Sequence, residues 1–283
     1  MRELRIFSVL FLTCLLWQDL SAQTYRHSYF RVGVSTGTTH YLGDLDDDFA
    51  VKFTRPGVGI QGSYRFNPFM MARLGFFQGW ISGNDAVSNN VPRNRRNLSF
   101  RSPIQEVSLT FSFDFLPTDR QYNYRPTYTP YVFGGIAIFN FNPQAELGGR
   151  YYDLQPLGTE GQFLSDPNGQ LPEPYALTQF AVPLGVGVRF SLSKRFDLEL
   201  ETGFRKTFTD YLDDVSGRYP DLEELEAQNP VAALLSDRIN TDLFPDGAAS
   251  VNGIRGDRTQ QDWYIYSNVR ISFILDWVKC PQF

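Results

Sequence analysis

Gly33-Val34-Ser35-Thr36-Gly37 has the Gly-x-Ser-x-Gly spacing that presents the nucleophile of many serine hydrolases. That chemistry needs a sharp strand-to-helix turn, and no helical pattern follows Gly37, so these small residues are expected to be strand positions facing a crowded interior. His27 and His40 are the chain's two histidines, which excludes a histidine-rich metal site. His40 with an acid from another segment would make the general base of a membrane-embedded lipase or protease. No such acid is identifiable, and a hydrogen-bonding role at a rim is the expectation. Asp44, Asp46, Asp47 and Asp48 crowd one segment, and Asp210, Asp213 and Asp214 another. Calcium favours such oxygen clusters, but neither segment has EF-hand spacing. Solvated acids, or salt bridges to Arg205, Lys206 and Arg218, are expected instead. Arg255-Gly256-Asp257 has the form of an adhesion tripeptide but is too short to carry weight. Arg93, Arg95 and Arg96 offer charge for anionic lipopolysaccharide headgroups, or simply a solvated loop. The residues call for no catalytic group, metal or cofactor.

The elements that must position these residues are read from alternation. Glu106, Ser108, Thr110, Ser112 and Asp114 alternate with Val107, Leu109, Phe111, Phe113 and Phe115. An extended strand sends successive side chains to opposite faces, so one face is oily and the other polar. Repeats of about ten such residues are the signature of a transmembrane β-barrel. Seven further segments are strand candidates: 30–41, 58–66, 69–81, 131–141, 180–190, 196–208 and 262–277. The segment 131–141 is apolar on both faces, with Gly134 and Gly135 inside it. The predicted fold is all-β, an eight-stranded antiparallel outer-membrane barrel. Turning it inside out would put Arg65, Glu106, Glu199 and Arg270 into lipid. An Arg or Lys at the midplane costs about 2–4 kcal/mol, and several would exceed the about 5–15 kcal/mol that stabilises a domain. The charged face must point inward.

Composition agrees. The 283 residues include 25 Phe and 15 Tyr against 3 Met, a strand-rich and girdle-rich usage. Mean hydropathy of -0.29 reflects a polar lumen and polar loops. A net charge of -5 gives no support to nucleic-acid binding. Arg2 and Arg5, the apolar run Ile6 to Trp17 and Leu20-Ser21-Ala22 read as a signal peptide over 1–22, leaving 23–283 as the barrel domain. Cys14 lies in the apolar run, so cleavage leaves Cys280 alone and rules out an internal disulfide framework.

Connection lengths orient the barrel. Asn67-Pro68, 116–129 and 191–195 are short; 42–55, 82–97, 142–175 and 209–260 are long. Short links are expected to face the periplasm and long ones the outside, with both termini periplasmic. Asp221 onward, and Val231 to Ile239 behind the Asn229-Pro230 cap, are expected helices in the last loop. Phe283 gives the terminal aromatic typical of barrels delivered to the outer-membrane insertion machinery.

Several words resemble one family. Tyr41-Leu42-Gly43-Asp44-Leu45 resembles the Tyr-Leu-Gly-Asp-Leu signature of PorG-like outer-membrane proteins of the type IX secretion system. So do Ser102-Pro103-Ile104-Gln105-Glu106, Thr129-Pro130-Tyr131-Val132-Phe133, Thr159-Glu160-Gly161-Gln162 and Lys279-Cys280-Pro281. The most specific block runs from Arg205 to Gly217 and includes Thr209, Asp210, Tyr211, Leu212, Asp213 and Asp214. The resemblance implies a small barrel in the cell outer membrane, contacting its lipids, that associates with the periplasmic ring of the secretion machine. That ring is built from a lipoprotein and its partner, and the barrel is not the translocation pore. An eight-stranded barrel is wide enough only for its own side chains, here expected to be Arg31, Arg65, Arg73, Glu106, Arg189, Glu199 and Arg270 as paired charges. The expected role is a non-enzymatic anchor; the alternative is a stand-alone barrel for adhesion or envelope integrity, with a lipid-modifying enzyme third. Asp119, Arg120, Tyr122, Tyr124 and Arg125, in the longest short link, are types enriched at interfaces and are the expected periplasmic contact.

Overall fold

The computed structural model describes residues 28–46, 51–118, 122–166, 169, 171–239, 249, 251 and 253–275. The expected signal peptide, Cys14, His27, Asp47, Asp48, Asp119, Arg120, Cys280 and Phe283 lie outside the described residues. So does the end of the strand expected to reach Trp277.

Among the described residues ten strands form one sheet: β1 (Tyr29–Leu42), β2 (Arg55–Arg65), β3 (Met70–Asn84), β4 (Ser99–Asp114), β5 (Tyr128–Phe141), β6 (Gln144–Leu147), β7 (Arg150–Asp153), β8 (Thr178–Ser191), β9 (Phe196–Thr207) and β10 (Trp263–Leu275). Eight of them close a ring of antiparallel pairs. It runs β1 to β5 in sequence order, passes from β5 to β8, β9 and β10, and returns to β1. Closure pairs every ladder, so no barrel strand is left as an edge. The predicted eight-stranded antiparallel barrel is the fold. Among the described residues no helix is long and apolar enough to cross a membrane.

The eight barrel segments match the alternating runs, with two informative differences. β4 begins at Ser99 rather than Glu106, continuing through Pro103 opposite Trp80 of β3. A proline is tolerated there because β5 stops pairing with β4 at Ile104, leaving one side of Pro103 without a barrel neighbour. The hairpin of β6 and β7 is an addition to the expected strands. Its two-residue turn is Gly148-Gly149, with φ of 61° and 80°, the paired positive values of a tight hairpin turn. Among the described residues three short α-helices sit in the long loops: α1 (Val91–Arg96), α2 (Leu222–Gln228) and α3 (Pro230–Ser236). α2 and α3 lie where expected, capped by the side chains of Asp221 and Asn229; α1 occupies part of the expected loop 82–97.

Parity follows the charge argument. Val34, Ile60, Leu74, Val107, Leu109, Ile136, Val186 and Ile271 are exposed on the outer face. Near the short-turn end this belt ends in aromatics, with Phe30 against Tyr64 (4.6 Å between centroids), Phe69 stacked on Phe113 (5.9 Å) and Phe196 against Phe273 (5.1 Å). Such rings form the interfacial girdle of membrane barrels.

The interior has two levels. Towards the short turns it is ionic. Towards the long loops it is aromatic and aliphatic, with Phe77, Ile81, Ile104, Phe139, Phe141, Tyr264 and Tyr266 buried in one cluster. The expectation of a charge-filled lumen therefore holds for one half only. β5 supplies much of the other, because both of its faces are apolar.

Candidate functional site

Three regions carry polar groups in special settings: the ionic lumen, its short-turn mouth, and a cap made by the long loops. In the lumen Arg31, Arg65, Arg73, Glu106, Arg189, Glu199 and Arg270 are all buried. Glu199 joins them, holding Arg31, Arg189 Nε (3.1 Å) and Arg270 Nη1 (3.0 Å). Four acids or bases that parity placed inward complete the network. Asp114 pairs with Arg65 and Arg189, Asp197 with Arg31, Glu201 with Arg73 and Arg270, and Arg205 with Glu106. Tyr131 and Tyr264 donate to Glu201 (3.0 Å) and Glu106 (2.7 Å). Each carboxylate thus meets at least two donors, which a buried charge requires.

The short-turn mouth is stoppered. Arg125 reaches in from its link to Asp197 (2.7 Å) and also donates to the carbonyls of Lys194 and Ser193, both at 2.9 Å. Tyr122 lies over Tyr29, 6.0 Å between centroids, beside Met71 and Ile274. Of the described residues expected to contact a partner, Tyr124 projects freely, 70% exposed. Arg125 instead bolts its turn to the barrel.

The cap brings together the words that carried the family resemblance. Tyr41 ends its strand with its hydroxyl 2.6 Å from Asp213 Oδ2 and 2.9 Å from Asp262 Oδ1. Gly43 must be glycine, because a Cβ there would come within 1.9 Å of Asp262 and 2.1 Å of the Tyr41 hydroxyl. Gly43 and Asp46 close the following turn with two backbone bonds, Leu42 stands opposite Trp263, and Leu45 enters the core. Asp44 accepts from the Asp257 amide (3.0 Å). Glu160, fully buried, accepts from the Ser216 and Gly217 amides (both 2.9 Å), Arg255 (3.0 Å) and the Tyr211 hydroxyl (3.3 Å). Gln162 turns back onto the Glu160 amide (3.0 Å), helped by Gly161 at φ 81°. Asp214 adopts φ 67°, uncommon for a non-glycine residue, and takes hydrogen bonds from Thr159 and Tyr175. Thr209 turns the chain through bonds to the Asp262 and Tyr211 amides (3.0 and 3.2 Å), and Leu212 is buried.

Two expectations for the loop acids are corrected. Asp213 and Asp214 are not solvated, and the arginine beside Asp214 is Arg255 rather than Arg205. Arg205 is spent on Glu106 in the lumen, and Lys206 lies over the Trp263 ring at 5.7 Å. Among the described residues no three His, Cys, Asp or Glu side chains are grouped to hold a metal ion. Arg255 of the adhesion-like tripeptide is only 2% exposed, so its guanidinium is not presented to a receptor. Ser35 is a mid-strand residue bonded to the Tyr266 hydroxyl (3.1 Å), and the chain continues as strand to Leu42. There is no nucleophile elbow. His40 Nε2 lies 3.2 Å from Asp46 Oδ2, both buried across one turn.

Burial pushes the cap acids up. Asp210 rises to about 8, through burial and then repulsion from Asp213, Asp44 and Glu160. Asp214 rises to about 6 through burial, offset in part by Arg255. Asp213 and Asp262 are both raised by burial and by neighbouring acids. One phenolic proton cannot serve two carboxylates, so the Tyr41 site needs an additional proton on Asp213 or Asp262. A raised carboxyl is protonated in the folded cap and ionised in an open one, so the open form binds fewer protons and cap stability falls as pH rises. Amide exchange over 209–217, corrected for its intrinsic pH dependence, is expected to show protection falling between about pH 4, the ordinary carboxyl value, and about pH 8, the raised value of Asp210. Constant or rising protection would contradict the burial of these acids.

The family model described as Domain of unknown function (DUF6089) matches residues 4–153. No curated protein matches the chain. Among solved structures, Neisserial surface protein A is 9% identical, with a TM-score of 0.43 over 88% of this chain and 99% of its own. Ail, the attachment invasion locus protein of Yersinia pestis, is 10% identical, with a TM-score of 0.37 over 88% and 97%. A major outer membrane protein of Thermus thermophilus is 13% identical, with a TM-score of 0.36 over 87% and 99%.

Proposed function

The chain belongs to the DUF6089 family, and we propose that it is a non-enzymatic outer-membrane anchor for the periplasmic ring of a type IX secretion complex. Membrane residence is supported by the continuous apolar belt and its girdle, which would be costly in water and are favourable against acyl chains. The observation that carries an anchor rather than a conduit is the obstruction of the bore at successive levels. Arg125 and Tyr122 close the short-turn mouth, the ion network fills the lower lumen, and aromatics and the loop cap fill the rest. The secretion assignment itself rests on the resemblance of the Tyr41–Leu45, Thr159–Gln162 and Thr209–Asp214 words. These build the cap, so they would be needed for a stable barrel, while ring contact falls to the periplasmic link around Tyr124.

A photoreactive residue placed at Tyr124 in intact cells is expected to capture a ring lipoprotein, identified by mass spectrometry. Deletion of the gene is expected to abolish export of the secreted cargo. Normal export in the deletion strain would overturn the anchor role and favour a stand-alone barrel for adhesion or envelope integrity.

A further inference from the structure

We propose that a groove on the outer flank of the barrel, at the long-loop end, binds a phosphate of an outer-leaflet glycolipid headgroup. The inference rests on the membrane reading but not on the secretion role. Trp80, Ser82 and Arg101 continue the outward-facing rows that lower down carry Leu74, Phe76, Val107 and Leu109. Ser82 stands opposite Arg101, and Arg101 opposite Gln144 of the β6 hairpin. Between the hairpin and the segment leading into β2 lies a groove of about 420 Å³, lined by Arg55, Trp80, Arg101 and Tyr151.

Its height suits a headgroup. The outward apolar row of β4 and the residue after it runs from Val107 to Phe115, which covers about 20 Å along the barrel axis at about 3.4 Å per residue and a tilt of about 40°. An apolar band is about 25 Å tall, so hydrocarbon ends just above Val107. Arg101 lies about 15 Å above Val107 by the same geometry, with Trp80 between them at the interface. Trp80 is 40% exposed there, as an interfacial ring should be.

The chemistry suits a phosphate. Arg55 Nε donates to Ser82 Oγ (2.8 Å) and Arg101 Nε to Gln144 Oε1 (3.2 Å). Each bond fixes its guanidinium and, among the described residues, leaves the terminal Nη groups for a ligand. The Tyr151 ring lies 3.2 Å from the Arg101 guanidinium carbon and holds that plane from one face. Two oriented guanidinium groups recognise phosphate oxygens through charge-assisted bonds. Among the described residues Glu146 is the one acid lining the groove, so its balance is positive. Arg96 of α1 is less suited to this task, because it is bound by Asp85 and the Asp44 carbonyl.

The test is retention of lipopolysaccharide by the full mature chain in nanodiscs of phosphatidylethanolamine, read by native mass spectrometry. The wild-type protein is expected to retain it, and R55Q/R101Q to retain at least about tenfold less, as loss of two charge-assisted contacts implies. Arg101→Lys, which keeps the charge, is expected to lose less. Heat-modifiable migration on gels establishes that each variant is folded. Equal retention by the double variant, or of lipopolysaccharide stripped of its phosphates, would overturn the site. Displacement by millimolar inorganic phosphate would assign the groove to free phosphate instead. A protein that enters no bilayer would overturn the membrane reading; one that enters but shows no preference would overturn the groove alone.

Discussion

Glu199→Ala is expected to destabilise the barrel by about 3–5 kcal/mol, the cost of removing one partner of a buried ion pair. The carboxylate is shared by Arg31, Arg189 and Arg270 in a lumen closed to solvent from both ends. Deleting it leaves three guanidinium groups with fewer acceptors and nowhere to go, since their neighbours Asp114, Asp197 and Glu201 are already engaged. Glu199→Gln keeps acceptor capacity and should fall between Ala and wild type. Glu223→Ala, on the exposed side of α2, should stay within about 0.5 kcal/mol. Urea unfolding in detergent, followed by the gel shift of the folded barrel, measures all three. An Ala variant as stable as wild type would mean that the network does not exist as described.

Leu109→Arg is expected to weaken the barrel in lipid by about 2–4 kcal/mol. Leu109 lies mid-belt, opposite Leu74 on one side and Ile136 on the other. The double change to Arg at Leu109 and Ile136 should approach the whole stability of an ordinary domain, about 5–15 kcal/mol, and block insertion. The sign makes the test sharp. A protein whose belt faced water would gain solubility from the same charges, because an exposed apolar patch would be broken up. Urea midpoints of the variants in phospholipid vesicles separate the two cases.

The barrel was legible because alternation is a strong local signal. Val107 to Phe115 states its two faces without reference to any neighbour, and the charges fix which face is inside. What the sequence hid depends on partners far along the chain. Asp114, Asp197, Glu201 and Arg205 had the right parity, but nothing nearby says that Asp114 meets Arg65 and Arg189 across the lumen. Arg125 has the residue type of an interface group, yet its position beside the barrel mouth makes it a stopper. The loop acids read as solvated because acidic loops usually are. Glu160 is buried only because Arg255 and the Ser216 and Gly217 amides reach it from the last loop, and Asp214 because Thr159, Tyr175 and Arg255 meet it from distant positions. The Gly148-Gly149 turn was readable in principle, as two glycines between short alternating segments are a hairpin signal.

The pairing of β1 with β10, from Phe30 opposite Leu275 to Leu42 opposite Trp263, has a kinetic consequence. The seam joins the first described strand to the last, so the cylinder cannot zip shut until β10 has been delivered. Contacts of such sequence separation form slowly, and until then both seam strands offer unpaired amides and carbonyls to any passing chain. An open seam therefore leaves the chain exposed to strand pairing with other copies until β10 docks on β1.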